Sequence, residues 1–265
     1  MPSKFINNTD IGQNFLIDTS VIDFITRKAH IFKEDVILEI GPGKGILTKG
    51  LLSFFPKHVF AIEFDKRLQE FLAPIEEKHT NLQIFWADAV GFDYTSLPFL
   101  PNKIIANLPY HITTPLLFTF LEQLAPLGVH YFLVMVQLEA AERIVAKPHT
   151  KNRCPLGVTI EAMGGDAQIL RRVSPEAFKP RPAVNSAIVE ISLSKNFNIA
   201  NDKKWRSLLQ MAFKQRRKIL QNNFLAGGLN KEQIAEIYQK VGLKQTVRAE
   251  ELTLEEWFAI RECII

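Results

Sequence analysis

The first three-quarters of the chain alternate between short apolar segments and stretches with helical spacing. The apolar segments are 36–40, 59–62, 82–86, 103–106 and 131–136. Strands that are apolar throughout are buried on both faces, as in a parallel sheet covered by helices. Helical spacing occurs between them in 46–54, 66–75, 115–124 and 138–145. This alternation predicts a doubly wound α/β domain.

The pattern changes towards the C-terminus. Residues 186–192 alternate between apolar and polar side chains, which predicts one more strand, antiparallel to its neighbours at the far side of the sheet. From about residue 195 the apolar positions recur at helical spacing in three stretches, and Gly242 is placed to end the second of these helices. We therefore predict an α/β domain over residues 1–194 and a small all-α domain over residues 195–265.

Composition narrows the class of protein. Of the 265 residues, 47% are apolar and 23% are charged, which is typical of a globular chain and too apolar for a disordered one. No apolar run approaches the ~20 residues that span a bilayer, and the first residues lack the apolar core of a secretory signal. Two cysteines, Cys154 and Cys263, exclude a disulfide framework and suit a reducing cytoplasm. The histidines show no ligand spacing. We expect a cytoplasmic protein with no membrane association and no metal.

The positive charge is concentrated near the C-terminus. The chain carries a net charge of +4, but residues 195–265 hold 13 basic and 8 acidic residues, so this quarter alone has a net charge of +5. Two further basic stretches are 143–153 and 171–181. Basic surfaces attract polyanions, and nucleic acid is the usual partner. On charge alone, an ordinary solvated surface is an equally good explanation.

A glycine-rich loop follows the first apolar strand. Gly41, Gly43 and Gly45 are spaced as GxGxG, which differs from both the GxGxxG fingerprint of dinucleotide-binding proteins and the GxxxxGK[ST] loop that holds nucleotide phosphates. Glycines at this point let the backbone approach a ligand closely. A simple tight turn would also explain the loop.

Acidic residues end the next two predicted strands. Glu63 follows the second strand, where a carboxylate can accept hydrogen bonds from both ribose hydroxyls, and Asp88 follows the third, where it could accept from an adenine amino group. Either acid alone is more often a helix cap or a surface charge. Taken with the glycine loop, however, they predict a site for adenosine without a pyrophosphate, which has the shape of S-adenosylmethionine.

The fourth predicted strand is followed directly by Asn107, Leu108, Pro109 and Tyr110. Proline stiffens this turn, the Asn107 oxygen and a nearby carbonyl can both accept from one NH₂ group, and the Tyr110 ring can stack on a flat base. These groups would hold the exocyclic amine of adenine with its lone pair aimed at a methyl donor, so that no strong general base is needed. The alternative is a structural turn with a packed tyrosine.

With these motifs in order, the chain resembles the KsgA-type ribosomal RNA adenine dimethyltransferases, nearly from end to end. Residues 12–16, Gly-Gln-Asn-Phe-Leu, are similar to that family's opening motif. Residues 173–180 resemble the later motif whose Phe clamps a flipped adenine, and 213–218 resemble the basic helix of the C-terminal domain. The resemblance implies a Rossmann-like class I S-adenosylmethionine-dependent methyltransferase domain followed by a small all-α C-terminal domain.

The resemblance also implies roles for individual residues. The implied donor-binding residues are Asn14, Leu16, Gly41, Gly43, Glu63, Asp88 and Asn107. The implied residues of the methyl-transfer pocket are Asn107, Leu108, Pro109, Tyr110 and, as a second stacking ring, Phe178. The RNA-binding candidates, taken from the basic stretches, are Arg143, Lys147, Arg153, Arg216, Arg217 and Lys218.

The implied reaction transfers four methyl groups from S-adenosyl-L-methionine, with no metal, to N6 of two adjacent adenosines. These lie in a loop near the 3′ end of small-subunit (16S) rRNA, and the partner is an immature small ribosomal subunit. A monomer is the default expectation. Three departures from the family pattern bear on RNA contact, namely His111 after the tyrosine, Leu138, and the segment 153–158.

Other functions stay open at this point. A large-subunit rRNA adenine methyltransferase of the antibiotic-resistance type would share the pocket, and the basic C-terminal segment favours the small-subunit enzyme over it. A non-catalytic small-subunit assembly factor could keep the fold. A DNA N6-adenine methyltransferase would carry an Asn-Pro-Pro-Tyr type of motif, and a nicotinamide dehydrogenase would need GxGxxG spacing. Fold alone decides between none of them.

Overall fold

A computed structural model describes residues 14–264 of the chain, and within them it contains a seven-stranded sheet with the order β4-β3-β2-β5-β6-β9-β7. A two-stranded pair joins β1 to β8. The strands are β1 (Phe15–Leu16), β2 (Val36–Ile40), β3 (His58–Glu63), β4 (Leu82–Trp86), β5 (Lys103–Asn107), β6 (Tyr131–Gln137), β7 (Asp166–Val173), β8 (Phe178–Lys179) and β9 (Ser186–Ser192).

Helices connect the strands and form most of the C-terminal part. They are α1 (Thr19–Lys28), α2 (Ile46–Leu52), α3 (Gln69–Glu76), α4 (Thr113–Thr119), α5 (Leu138–Ile144), α6 (Pro155–Ala162), α7 (Lys203–Ala212), α8 (Leu220–Ala226), α9 (Lys231–Val241) and α10 (Leu254–Cys263). Short 3-10 turns and one π-helical turn, Phe120–Leu124, supplement them. Gly242 ends α9 in the left-handed conformation, as predicted.

The central strands follow the predicted pattern. β2 pairs in parallel with β3 and with β5, β3 with β4, and β5 with β6, while β9 is antiparallel to β6. All five residues of β2 are buried, because helices cover both faces of this part of the sheet. The chain reverses its direction of winding between β2 and β5, and a doubly wound sheet places its ligand crevice at the carboxyl ends of strands at such a point. The prediction of an α/β Rossmann-like sheet is confirmed.

The chain divides into two compact units. The first comprises the described residues up to Ala141 together with Ala167–Ser192, and the second comprises Glu142–Asp166 together with the described residues from Leu193 onward. The two-domain division predicted from sequence differs from these units over residues 142–166 and at residues 193 and 194, which it assigned to the first domain. Val158 and Ala162 of α6 belong to the same apolar core as Trp205 and Trp257 of the C-terminal helices.

The basic segment 213–218 is not helical, which corrects the expectation drawn from the resemblance. Helix α7 ends at Ala212, and turns follow up to α8. The cause is the buried side chain of Asn223, whose Nδ2 donates to the carbonyls of Ala212 and Gln215 at 2.8 and 3.2 Å. Its Oδ1 accepts from the Gln215 N–H at 3.0 Å. This one amide satisfies backbone groups that a continuous helix would have paired internally.

Candidate functional site

A cavity of about 240 Å³ opens at the carboxyl ends of β2, β3, β4 and β5. Every donor-binding residue predicted from the sequence lines it, and so do the three residues that follow Asn107 after β5. These residues are Asn14, Leu16, Gly41, Gly43, Glu63, Asp88, Asn107, Leu108, Pro109 and Tyr110. Positions far apart in sequence are therefore brought to one wall by the parallel register of the sheet. Residues 12 and 13 of the opening motif lie outside the described residues.

The glycine loop has a conformation that only glycine adopts readily. Gly43 has φ +61°, and a Cβ atom there would lie 3.0 Å from Cδ1 of Phe15. Gly45 has φ +75°, and its Cβ would meet Cδ1 of Ile75 at 2.3 Å. The loop therefore needs glycine both for its backbone angles and for close packing against two neighbouring side chains.

The carboxylate of Glu63 is held beside the glycine loop by backbone hydrogen bonds. One carboxylate oxygen accepts from the Gly43 N–H at 3.1 Å, and the other accepts from the Asp65 N–H at 2.9 Å. Burial raises the pKa of Glu63, and these two backbone hydrogen bonds act in the opposite direction by favouring the carboxylate. The carboxylate is thus fixed in orientation at the edge of the cavity, with lone pairs remaining for a ligand.

Asp88 differs from Glu63 in its exposure. It follows β4, its side chain is exposed, and its Oδ1 accepts from the Val90 N–H at 3.0 Å. This hydrogen bond forms a local turn that holds the carboxylate at the mouth of the cavity. A charged acceptor in this position can bind an amino group of a ligand.

The end of β5 presents an unpaired acceptor beside an aromatic ring. The Leu108 N–H donates to the Met135 carbonyl at 3.0 Å, which fixes the turn. Among the described residues, the buried Oδ1 of Asn107 has no hydrogen-bond partner. The hydroxyl of Tyr110 is hydrogen-bonded to Oγ of Ser186 at 2.6 Å, so the ring has a fixed orientation, and burial raises the pKa of its phenol. This arrangement can hold a planar base that carries an NH₂ group.

The segment before α1 closes one side of the cavity. The Phe15 ring packs on Gly43, and Nζ of Lys44 lies 5.0 Å from the centre of that ring and 4.9 Å from that of Phe71. Such distances permit cation–π attraction. Strand β1 pairs with β8, so that Leu16 lies opposite Phe178.

Phe178 does not line the cavity. Its side chain is 3% exposed and belongs to the apolar core of the first unit. The β1–β8 pairing places it opposite Leu16, which lines the cavity, whereas Phe178 does not. As placed, Phe178 is not available to stack on a base, which corrects the role inferred from the resemblance.

Five of the six basic residues that were predicted to bind RNA are exposed. Arg143, Lys147, Arg217 and Lys218 are exposed. Arg216 is exposed as well, but its guanidinium donates to the carbonyls of Lys151 and Arg153. Exposed cations of this kind can contact phosphate groups.

Arg153 has to be removed from the RNA-binding candidates. Its side chain is 0% exposed, forms an ion pair with Glu161 at 2.7 Å and donates to the Ala146 carbonyl. A basic run is usually exposed, but here a nearby carboxylate allows one arginine of the run to be buried. Arg153 stabilises the second unit and cannot reach a phosphate.

Several residues that line the cavity were not among the predicted site residues, and they include a buried acid, an exposed aromatic ring and the two residues after Tyr110. Glu39 is buried in β2, Phe64 follows Glu63 and is 66% exposed, and His111 and Ile112 follow Tyr110. A signal for Glu39 existed, since it is the one charged residue in an otherwise apolar strand. No comparable signal marks the other three.

Within residues 14–264, no group of three or more His, Cys, Asp or Glu side chains is arranged to hold a metal ion. None of the helices described is both long enough and apolar enough to cross a membrane.

The sequence matches the family model described as ribosomal RNA adenine dimethylase over residues 4–265. It is 35% identical to ribosomal RNA small subunit methyltransferase A of Clostridium botulinum (strain Kyoto / Type A2), over 98% of this chain and 95% of the relative. It is 34% identical to the probable ribosomal RNA small subunit methyltransferase A of Methanococcus maripaludis, over 87% of each chain.

Two solved structures share the fold. The crystal structure of a dimethyladenosine transferase from Plasmodium falciparum superposes with a TM-score of 0.78 at 25% identity, covering 93% of this chain and 95% of the other. That of the 23S rRNA methyltransferase ErmE superposes with a TM-score of 0.67 at 22% identity, covering 95% and 99%. At 22% identity, the likeness to the 23S rRNA methyltransferase ErmE shows a shared fold and nothing more.

Proposed function

The chain belongs to the ribosomal RNA adenine dimethylase family, and from that membership we propose that it is an S-adenosylmethionine-dependent rRNA (adenine-N6,N6) dimethyltransferase. It transfers four methyl groups to N6 of two adjacent adenosines in a loop near the 3′ end of small-subunit (16S) rRNA. The observation that carries this assignment is the buried, unpaired Oδ1 of Asn107 beside the Tyr110 ring in the cavity.

The cavity residues fit an S-adenosylmethionine molecule in chemistry and in order. Glu63 offers carboxylate lone pairs to ribose hydroxyls, and Asp88 offers an acceptor to the adenine amino group. The glycine loop between β2 and α2 leaves room for the amino-acid portion. When bound, S-adenosylmethionine supplies an electrophilic methyl group on a sulfonium, so the protein needs to supply alignment rather than a strong base.

The residues at the end of β5 act on the substrate adenine. Asn107 Oδ1 accepts a hydrogen bond from the N6 amino group, and the Tyr110 ring stacks against the base. Accepting from N6 favours a more tetrahedral nitrogen, whose lone pair then points to the methyl group. The nitrogen becomes cationic during transfer and loses its proton afterwards. A loop adenosine suits this site because it can leave its stack at a cost of only a few kcal/mol.

The choice of small-subunit RNA rests on the relatives. Full-length relatives at about 35% identity are named for the small subunit, whereas the likeness to the large-subunit enzyme concerns the fold only. The large-subunit alternative is therefore not favoured. We propose further that the enzyme acts on an immature small subunit, works as a monomer and resides in the cytoplasm.

The decisive experiment is transfer of labelled methyl groups to small ribosomal subunits that lack the modification, followed by mapping of the label. Mature small subunits and large subunits serve as controls. Dimethyladenosine at two adjacent positions near the small-subunit 3′ end is the expected result. Label in large-subunit RNA alone would assign the protein to the resistance-type enzymes. Binding to immature subunits without any label would make it an assembly factor.

RNA affinity should depend on Arg217 and Lys218, which are exposed on the turn after α7. Replacing both with glutamine is expected to weaken binding to small-subunit RNA at low salt and to make the slope of log affinity against log salt about 1.4–1.8 units less steep, because two phosphate contacts are lost. The measurement is a salt titration of RNA binding.

A matched control places the same charge change elsewhere. Lys49 and Lys66 are exposed lysines of the first unit, and their double glutamine variant should leave the salt slope unchanged. A slope that responds equally to both double variants would show that the effect is one of net charge and that the turn makes no specific contact.

A further inference from the structure

A buried hydroxyl group on β9 contacts the aromatic ring of the cavity. Oγ of Ser186 lies 2.6 Å from Oη of Tyr110, and Ser186 is 0% exposed. The next three residues of β9, Ala187, Ile188 and Val189, are apolar and buried. Burial of a hydroxyl group costs free energy unless it is hydrogen-bonded, and alanine at this position would avoid that cost. The hydrogen bond to Tyr110 therefore gives this serine a role that the packing of the strand does not require.

Ser186 is placed by the sheet and not by a loop. It is the first residue of β9 and lies opposite Gln137, the last residue of β6. Just beyond this pair, the Leu138 N–H donates to the Asn185 carbonyl at 2.9 Å. Because β6 runs parallel to β5, this end of β9 lies on the same edge of the sheet as Asn107, the last residue of β5. A side chain on a strand is held more precisely than one on a loop.

The Tyr110 side chain is held at both of its ends. At the backbone end, the Pro109 carbonyl accepts from the Ile112 N–H at 3.2 Å and from the Thr113 hydroxyl at 3.1 Å, which fixes the turn. At the other end, the phenol is hydrogen-bonded to Ser186. With both ends fixed, the long axis of the ring has one direction, and a base that stacks on the ring takes its position from it.

The two methyl transfers to one adenosine make different demands on this ring. Each transfer forms a bond from N6 to the methyl carbon, breaks the bond from that carbon to the donor's sulfur, and releases a proton and S-adenosylhomocysteine. The amino group of adenosine has two N–H groups for hydrogen bonds, one of them to Asn107 Oδ1, whereas N6-methyladenosine has one N–H left. Stacking on Tyr110 does not depend on the number of N–H groups. In the second transfer, the orientation of the base therefore depends more on the ring.

We propose that Ser186 is a positioning residue that acts through Tyr110 and matters most for the second methyl transfer to each adenosine. This inference rests on the proposed function, because it requires an adenine stacked on the Tyr110 ring. Without the Ser186 hydroxyl, one end of the ring is no longer held, and the base can move relative to the methyl donor. A displacement of about 1 Å can lower a transfer rate by about 100-fold. Two hydrogen bonds from the amino group limit this displacement in the first transfer, and only one does so in the second.

The test compares the two transfer rates in a Ser186→Ala variant. An excess of full-length protein acts on unmodified small subunits with saturating S-adenosylmethionine, and mass spectrometry of the RNA nucleosides follows N6-methyladenosine and N6,N6-dimethyladenosine over time. We expect the first transfer to slow by less than about threefold and the second by about tenfold or more, so that N6-methyladenosine accumulates. Ser192→Ala, which removes the exposed serine at the other end of β9, is the matched control and should leave both rates unchanged.

A Tyr110→Phe variant removes the same hydrogen bond from the other side. It should also slow the second transfer more than the first, and the double variant should be no slower than the slower single variant, because the two hydroxyls act as one unit. Equal slowing of both transfers by Ser186→Ala would overturn the inference, as would single effects that multiply in the double variant. An unchanged ratio of the two rates in Tyr110→Phe would overturn it as well, and this variant provides the test on its own if Ser186→Ala does not fold. Absence of any transfer by the wild-type protein would instead overturn the proposed function.

Discussion

Replacing Asn107 with alanine is expected to lower the rate of methyl transfer by about 1,000-fold, while RNA affinity changes little. The Asn107 side chain brings a buried acceptor to the place where the N6 amino group would lie, and among residues 14–264 nothing else pairs with it. Without that acceptor, the amino group keeps its planar form and its lone pair is not directed to the methyl group. Loss of one such positioned hydrogen bond costs a factor of about 100 to 1,000 in rate.

Single-turnover transfer to unmodified small subunits, measured beside RNA binding, separates the two effects. Asn107→Asp keeps an oxygen acceptor and should retain more activity than the alanine variant. Asn222→Ala removes an exposed asparagine from α8 and serves as the matched control with full activity. Equal loss of transfer and RNA binding in Asn107→Ala would show that Asn107 supports the structure of the site and does not act on the amine.

Glu63→Gln should lower the affinity for S-adenosylhomocysteine by about 100-fold. The substitution looks conservative, but both carboxylate oxygens accept from backbone N–H groups, those of Gly43 and Asp65. An amide would turn its own NH₂ towards one of these donors and leave it unsatisfied, at a cost of about 1–3 kcal/mol. The loss of a charged acceptor for the ribose adds to this cost.

The measurement is calorimetric affinity for two ligands. The ligands are S-adenosylhomocysteine, the demethylated product, and 5′-methylthioadenosine, which keeps the ribose and the adenine but lacks the amino-acid portion. Because both ligands share the ribose, Glu63→Gln should weaken the binding of both. Glu70→Gln, on the exposed side of α3, is the matched control and should bind both normally. Unchanged affinity in Glu63→Gln would mean that the ribose lies elsewhere in the cavity.

The sheet could be predicted from sequence because burial on both faces leaves a continuous apolar run. The strand β7 lacked this signal, since it lies at the edge of the sheet and includes exposed residues and two adjacent arginines. Helix α1 had a readable cap in Asp18, whose side chain accepts from the Ser20 N–H, but the short helix was not predicted. Patterns of apolar residues therefore predicted the buried strands, whereas a single capping residue was not enough to predict a helix.

The site could be predicted where a loop or a strand end fixes each side chain, which is why the residues of the cavity wall were identified together. Predictions based on residue type alone were weaker. Arg153 was assigned to the surface because it is basic, but Glu161 pairs with it in the interior. The segment 213–218 has good helix formers, but Asn223, eight residues beyond Gln215, pairs with its backbone groups. In both cases the deciding partner lies eight residues further along the chain, and helical or strand periodicity does not encode such a side-chain contact.

Because Glu142–Asp166 belongs to the second unit, the two units cannot be separated or exchanged as continuous segments of the chain. The chain crosses between the units three times, so no single cut separates them. A truncation at residue 194 would remove Trp205 while leaving Thr159, whose Oγ1 accepts from the indole N–H at 3.1 Å. It would also expose Val158 and Ala162, which pack in the same core. A chimaera that exchanges this unit between relatives must therefore be joined at three points, because a swap of the C-terminal part alone would assemble the core of the second unit from two different proteins.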